Sequence, residues 1–179
     1  MGSGSSPAAN LPINDHGLLF LYPGLDMADW ASTERIHADI ALTEHQQVVG
    51  DLHLQTRVAH HDGPETALEM LNRGDPFFPV TVSDGQVAFV AKSQVAVVTC
   101  GPEIGMADPE RQGAAKTLSL EVMLAGGSVF RGWATLELPP TRARTLDYLN
   151  GPGLFFALQS EGAARFINRT YVRIVRSLD

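Results

Sequence analysis

The chain has 179 residues, enough for one medium domain or two small ones. Apolar residues at 44% and charged residues at 18% are globular values, and a formal net charge of −7 argues against an extended nucleic-acid groove. The single cysteine, Cys100, excludes an intrachain disulfide and a Cys-rich zinc site, and no apolar run reaches the roughly 18–20 residues of a membrane helix.

Residues 1–6 read MGSGSS, a flexible linker. Residues 16–22, HGLLFLY, are apolar but short and have no basic start. They suit an arm packed on the body rather than a signal sequence, or else a docking segment for another subunit. Pro23-Gly24 turns the chain, and residues 25–35 leave room for one short helix. Residues 39–42 and 48–54 alternate apolar and polar, as half-buried strands do, with a hairpin-like gap between them. Pro64 precedes a helical pattern of Leu68, Met70 and Leu71, expected to run two or three turns. Asn72 closes it as a C-cap, because asparagine tolerates the left-handed conformation. Residues 77–82, 86–90 and 95–98 read as three more strands, the last two separated by the polar turn Lys92-Ser93-Gln94.

The pattern then recurs. Residues 48–54 (VVGDLHL) match 130–136 (FRGWATL), with Gly50 and Gly132 at the third place. Residues 68–72 (LEMLN) match 146–150 (LDYLN), so Asn150 repeats Asn72. Phe77-Phe78 and Phe155-Phe156 each begin five residues after the asparagine. Residues 89–98 (FVAKSQVAVV) match 166–175 (FINRTYVRIV). Four matches in one order indicate a duplicated module. The expected organisation is a linker and arm over residues 1–35, a first repeat over 36–100, a linker over 101–115 and a second repeat over 116–179. Each repeat should run β-β-α-β-β-β. Repeats of this size are marginal alone, and a small bent barrel is the economical way to bury one face. The fold class is therefore mainly β with short helices, as two tandem small barrels. Gly50 and Gly132 mark the bends. Phe89 and Phe166 should occupy equivalent places.

Gly50-x-Leu52 and the stretch from Phe89 through Lys92-Ser93-Gln94 to Val95 resemble the two short motifs of the Sm-like and SH3-like small barrels. That likeness implies a bent five-stranded barrel and, with Lys92 and Arg169 in the turn between the last two strands, binding of single-stranded RNA. A second resemblance is to a bacterial domain family of uncharacterised function. It rests on Gly132, Leu136, Leu138-Pro139, Arg144, residues 146–150, Phe155-Phe156, Phe166, Asn168 and Val172. The first repeat keeps Gly50, Leu54, Leu71-Asn72, Phe77-Phe78 and Phe89, with Glu69 for the aspartate and Ala91 for the later asparagine. This likeness implies a fold and no activity.

Little in the sequence points to chemistry. His53, His60, His61 and Asp62 are the one local group of metal-capable side chains, but adjacent histidines on a strand face opposite ways. A solvated loop fits them better than a metal site. Cys100 has no base near it in sequence and suits a buried thiol. Glu69 and Asp147 fall on the wet side of their helices. Lys92, Arg165, Arg169, Arg173 and Arg176 make the last strands locally basic, and Trp133 is either a core plug or an exposed anchor. No phosphate-loop, hydrolase-elbow or zincin motif occurs. The expectation is a cytoplasmic, non-enzymatic scaffold or adaptor without a cofactor or membrane insertion. Its barrels would mediate protein contact or self-association, with Lys92, Arg169 and Trp133 as candidate binding residues. The alternatives are a single-stranded RNA binder and a small-molecule or metal sensor built on the histidines.

Overall fold

The computed structural model describes residues 33–59, 63–105, 116–136 and 144–178. They are mainly β: ten antiparallel strands form one open sheet, with two short helices. In the first half, β1 (Thr33–Leu42) and β2 (Gln47–Gln55) form a hairpin. Helix α1 (Ala67–Asn72), β3 (Phe77–Val82), β4 (Val87–Ala91) and β5 (Val95–Cys100) follow. In the second half the order is β6 (Lys116–Leu124), β7 (Val129–Leu136), α2 (Thr145–Leu149), β8 (Phe155–Ser160), β9 (Ala163–Asn168) and β10 (Val172–Ser177).

Across the sheet the strands lie β10-β6-β7-β8-β9-β5-β1-β2-β3-β4. Both halves thus use one order: fifth, first, second, third, fourth. The likeness extends to irregularities. A bulge falls between Ala41 and Leu42 where β1 meets β5, and β6 meets β10 through the same slip, with Leu124 on Val172 and Met123 on Ile174. Bulges set the local twist, so both halves bend at the same place.

The two bend glycines share a physical cause. An added Cβ on Gly50 would lie 2.4 Å from the Thr81 carbonyl oxygen, and one on Gly132 would lie 1.9 Å from that of Gln159. Any side chain there would force β3 or β8 off its neighbour. The hairpin between β1 and β2 is closed instead by a 3-10 turn over Thr43–His45, in which Glu44 and His45 take φ of 61° and 63°.

Several expectations need correction. Residues 33–35 belong to β1 rather than to a helix, because the strand alternation begins at Thr33; residues 25–32 lie outside the described residues. The helices are shorter than two or three turns, at six and five residues. The short polar segment Arg73–Pro76 returns the chain at once to β3, which leaves no length for more. Pro102–Gly105 is a 3-10 turn, with Ile104 packed on the first core.

Two apolar clusters form the interior. The first gathers Ile36, Ile40, Leu52, Leu54, Met70, Leu71, Phe78, Val80 and Val98; the second gathers Leu118, Leu120, Val122, Leu136, Phe156, Leu158 and Ile167. Phe78 and Phe156 play the same part, as do Val80 and Leu158. No helix among the described residues is long and apolar enough to cross a membrane.

Candidate interaction edges

The halves meet where β5 pairs with β9, in the register Val97↔Ile167, Val98↔Phe166, Thr99↔Arg165 and Cys100↔Ala164. Successive residues alternate between the cores: Val98 and Phe166 join the first, Val97 and Ile167 the second. Phe155, Ala164 and Phe166, all from the second half, close the open side of the first core.

Polar side chains lock this seam. Asn72, at the end of α1, reaches across to the second half. Its Nδ2 donates to the Phe155 carbonyl at 3.1 Å, and its Oδ1 accepts the Phe155 N–H at 2.8 Å. Gly153, at φ 96°, makes room: an added Cβ would sit 2.7 Å from the amide. Asn168 is fully buried and donates back to the Val95 and Lys92 carbonyls, while its Oδ1 accepts the Thr170 N–H. Tyr171 donates its hydroxyl to the Ser93 carbonyl. A cavity of about 300 Å³ opens beside the seam, lined in part by Leu71, Arg73, Lys92, Leu154 and Thr170.

The expected cap at Asn72 is corrected by this geometry, and the one at Asn150 is present without the left-handed conformation. Asn72 is the last helical residue and Arg73 the cap, at φ −58°, so no left-handed residue ends α1. Asn150 does stand at the cap of α2, but at φ −91°, and it is exposed. Lys92, buried, and Arg169, half-buried, occupy equivalent positions and do equivalent work, holding backbone carbonyls of their own half. The Lys92 ammonium is buried and donates to the carbonyls of Met70 and Arg73, at 3.1 and 2.8 Å. Burial lowers its pKa, opposed by Asp75. Arg169 donates to the carbonyls of Leu149, Gly153 and Phe155 and stacks over Phe156. Each cation satisfies the carbonyls that a short helix leaves at its C-terminus.

His53 is buried, with Nδ1 on the Thr33 hydroxyl at 3.0 Å and Nε2 on the Thr81 hydroxyl at 2.8 Å. Burial, and then Arg35, lower its pKa. Both ring nitrogens therefore cross-link strands. His60 and His61 lie outside the described residues. Cys100 is buried at the end of β5. Trp133 is exposed on β7, opposite Ser119 and Gln159. Asp147 is exposed as expected, whereas Glu69 forms a capping box with Thr66 at the start of α1. Glu121 accepts from Arg176 and Arg131, which hold its carboxyl below the usual range. Tyr148 donates to the Ala157 carbonyl at 2.6 Å, and burial pushes its pKa up to about 12.

Phe89 and Phe166 hold the same topological place, opposite Pro79 and Ala157 in the third strands. Their environments differ, contrary to expectation: Phe89 is 63% exposed and Phe166 only 2%. The cause is position in the sheet. The outer side of β9 meets β5, while β4 ends the sheet and has no strand neighbour among the described residues. The contrast extends along that face. Phe77 is 54% exposed and its counterpart Phe155 only 1%; Val87 is 39% exposed and Ala164 0%.

At the other end of the sheet, β10 shows the complementary contrast. Ile174 is 44% exposed and its counterpart Val97 only 2%. Strand β5 buries four of its six residues, on both faces, whereas none of β10 is buried. Helix α1 buries Ala67, Met70 and Leu71, but α2 buries no residue and leaves Leu146 exposed. Comparison with known proteins adds nothing to this geometry: no family model, curated protein or solved structure matches the chain.

Proposed function

We propose that the chain is a non-enzymatic scaffold: two small, bent, barrel-like modules in tandem that hold protein partners at the edges of their shared sheet. The observation behind this reading is that large apolar side chains are exposed on both terminal strands, Val87 and Phe89 on β4 and Ile174 on β10, with Phe77 exposed on the neighbouring β3. A terminal strand offers a row of backbone donors and acceptors, and apolar side chains beside it supply contact area. Water-exposed apolar residues grouped in this way mark interaction surfaces.

The RNA reading has weaker support, since the Lys92 and Arg169 donors it would use point at backbone carbonyls. The histidine-sensor reading loses His53 to a bridge between threonines.

Chemical cross-linking in lysate of the source cells, read by mass spectrometry, tests the scaffold reading. Cross-linked partners should map to β4 and β10 and be lost from a variant carrying both Phe89→Asp and Ile174→Asp. Partner capture that the double variant leaves intact would refute it.

A further inference from the structure

The chain already contains one complete copy of an edge-to-edge joint, between β5 and β9. One side of that joint consists of α1 and β5; the other consists of β8 and β9. Because the module is duplicated, each side recurs at an end of the sheet. Helix α2 and β10 repeat the first side, and β3 and β4 repeat the second. We propose that the partner at these edges is a second copy of this chain, with β10 of one molecule pairing antiparallel with β4 of the next. This deepens the scaffold reading and rests on it.

The internal joint supplies the register. Carried over by the repeat, it sets Ile174 against Val90 of the neighbouring copy, Val175 against Phe89, Arg176 against Ala88, and Ser177 against Val87. Leu146 of α2 then stands where Leu68 packs on the first core, and covers the face that carries Phe77. The exposed set is what such a joint would bury, because Phe77, Val87, Phe89 and Ile174 are the counterparts of Phe155, Ala164, Phe166 and Val97, all buried at the internal seam.

The two sides are different surfaces, so the contact is heterologous and propagates head to tail, into a ring or an open chain. It is also weaker than the internal seam. Ala91 replaces Asn168, losing the bonds to the neighbouring carbonyls, and Asp75 replaces Gly153, which leaves less room for Asn150 than Asn72 enjoys. Association should therefore be reversible and depend on concentration.

Sedimentation velocity on the purified full chain, across a concentration series, tests this. The wild type should grow beyond the monomer as concentration rises. Phe89→Asp and Ile174→Asp, each at an exposed residue, should each weaken self-association roughly tenfold or more. Circular dichroism melts should match the wild type, showing intact folding. The decisive arm is the mixture. Each variant keeps one good edge, so together they should form a species of twice the monomer mass and nothing larger. A wild type that stays monomeric at every concentration would overturn the proposal. So would a variant that still dimerises by itself, which would mean that like edges pair. Neither result touches the cross-linking test above, so failure here leaves edge-bound partners of another kind to be judged on their own.

Discussion

Replacing Asn72 by alanine separates the roles of two residues that the sequence presents as twins. The Asn72 amide holds the Phe155 backbone by two bonds, in a place where Phe155 is fully buried. Truncation leaves the Phe155 N–H without that acceptor, a loss of about 1–3 kcal/mol for a buried group. The Phe155 carbonyl keeps a donor in Arg169, at 2.8 Å, so the second bond costs only about 0.5–1.5 kcal/mol. The sum is roughly 1.5–4.5 kcal/mol. At roughly 2–4 °C per kcal/mol for a chain of this length, the melting temperature should fall by about 3–18 °C. Asn150→Ala changes an exposed cap with no reach across the seam, and at low protein concentration its effect should stay within about 0.5–1 kcal/mol. Thermal melts followed by circular dichroism measure both. Equal losses from the two substitutions would refute the assignment of Asn72 to the seam.

Other outcomes follow from the same geometry. Gly132→Ala should destabilise by about 1–3 kcal/mol or more, because its Cβ would meet the Gln159 carbonyl oxygen, while Gly162→Ala, in open space, should be nearly neutral in urea titrations. His53 has a folded pKa below its ordinary 6.5. The unfolded chain therefore takes up this proton first as pH falls, and stability should drop as pH goes below about 6.5 and level off beneath the folded pKa. His53→Gln should flatten that part of the profile in melts run from pH 8 to 5; an unchanged slope would contradict the burial argument. Glu121 is depressed below 4.5, so its contribution is present above that pH and disappears as pH falls through the folded value. Glu121→Gln should accordingly destabilise at pH 7 and match the wild type in strong acid.

The strand order shared by the two halves was legible because the recurring residues govern local backbone and packing. The glycines stand where two strands approach, and the Phe-Phe pairs put one ring on each face of a strand. The capping box was also in plain sight, as Thr66-Ala-Leu-Glu69. What sequence reasoning missed is long-range. Asn72 and Phe155 are 83 residues apart, and nothing local distinguishes an asparagine that caps a helix from one that grips another module. Lys92 and Arg169 looked like surface cations because a turn usually faces water, yet here the turn lies against the end of a short helix whose carbonyls need donors. One signal could have separated the inner strand from the outer one. Strand β5 reads VAVVTC, apolar on both faces, whereas β10 reads VRIVRS, with arginines at two positions.

Amide hydrogen exchange on the purified chain bears most directly on the claim that one joint is used twice, once within the molecule and once between molecules. Amides of β5 and β9 should be strongly protected at every concentration, while those on the outer sides of β4 and β10 should exchange quickly in dilute solution and slow together as concentration rises. Outer-strand rates that ignore concentration, or β5 and β9 amides that exchange as fast as the outer strands, would contradict it.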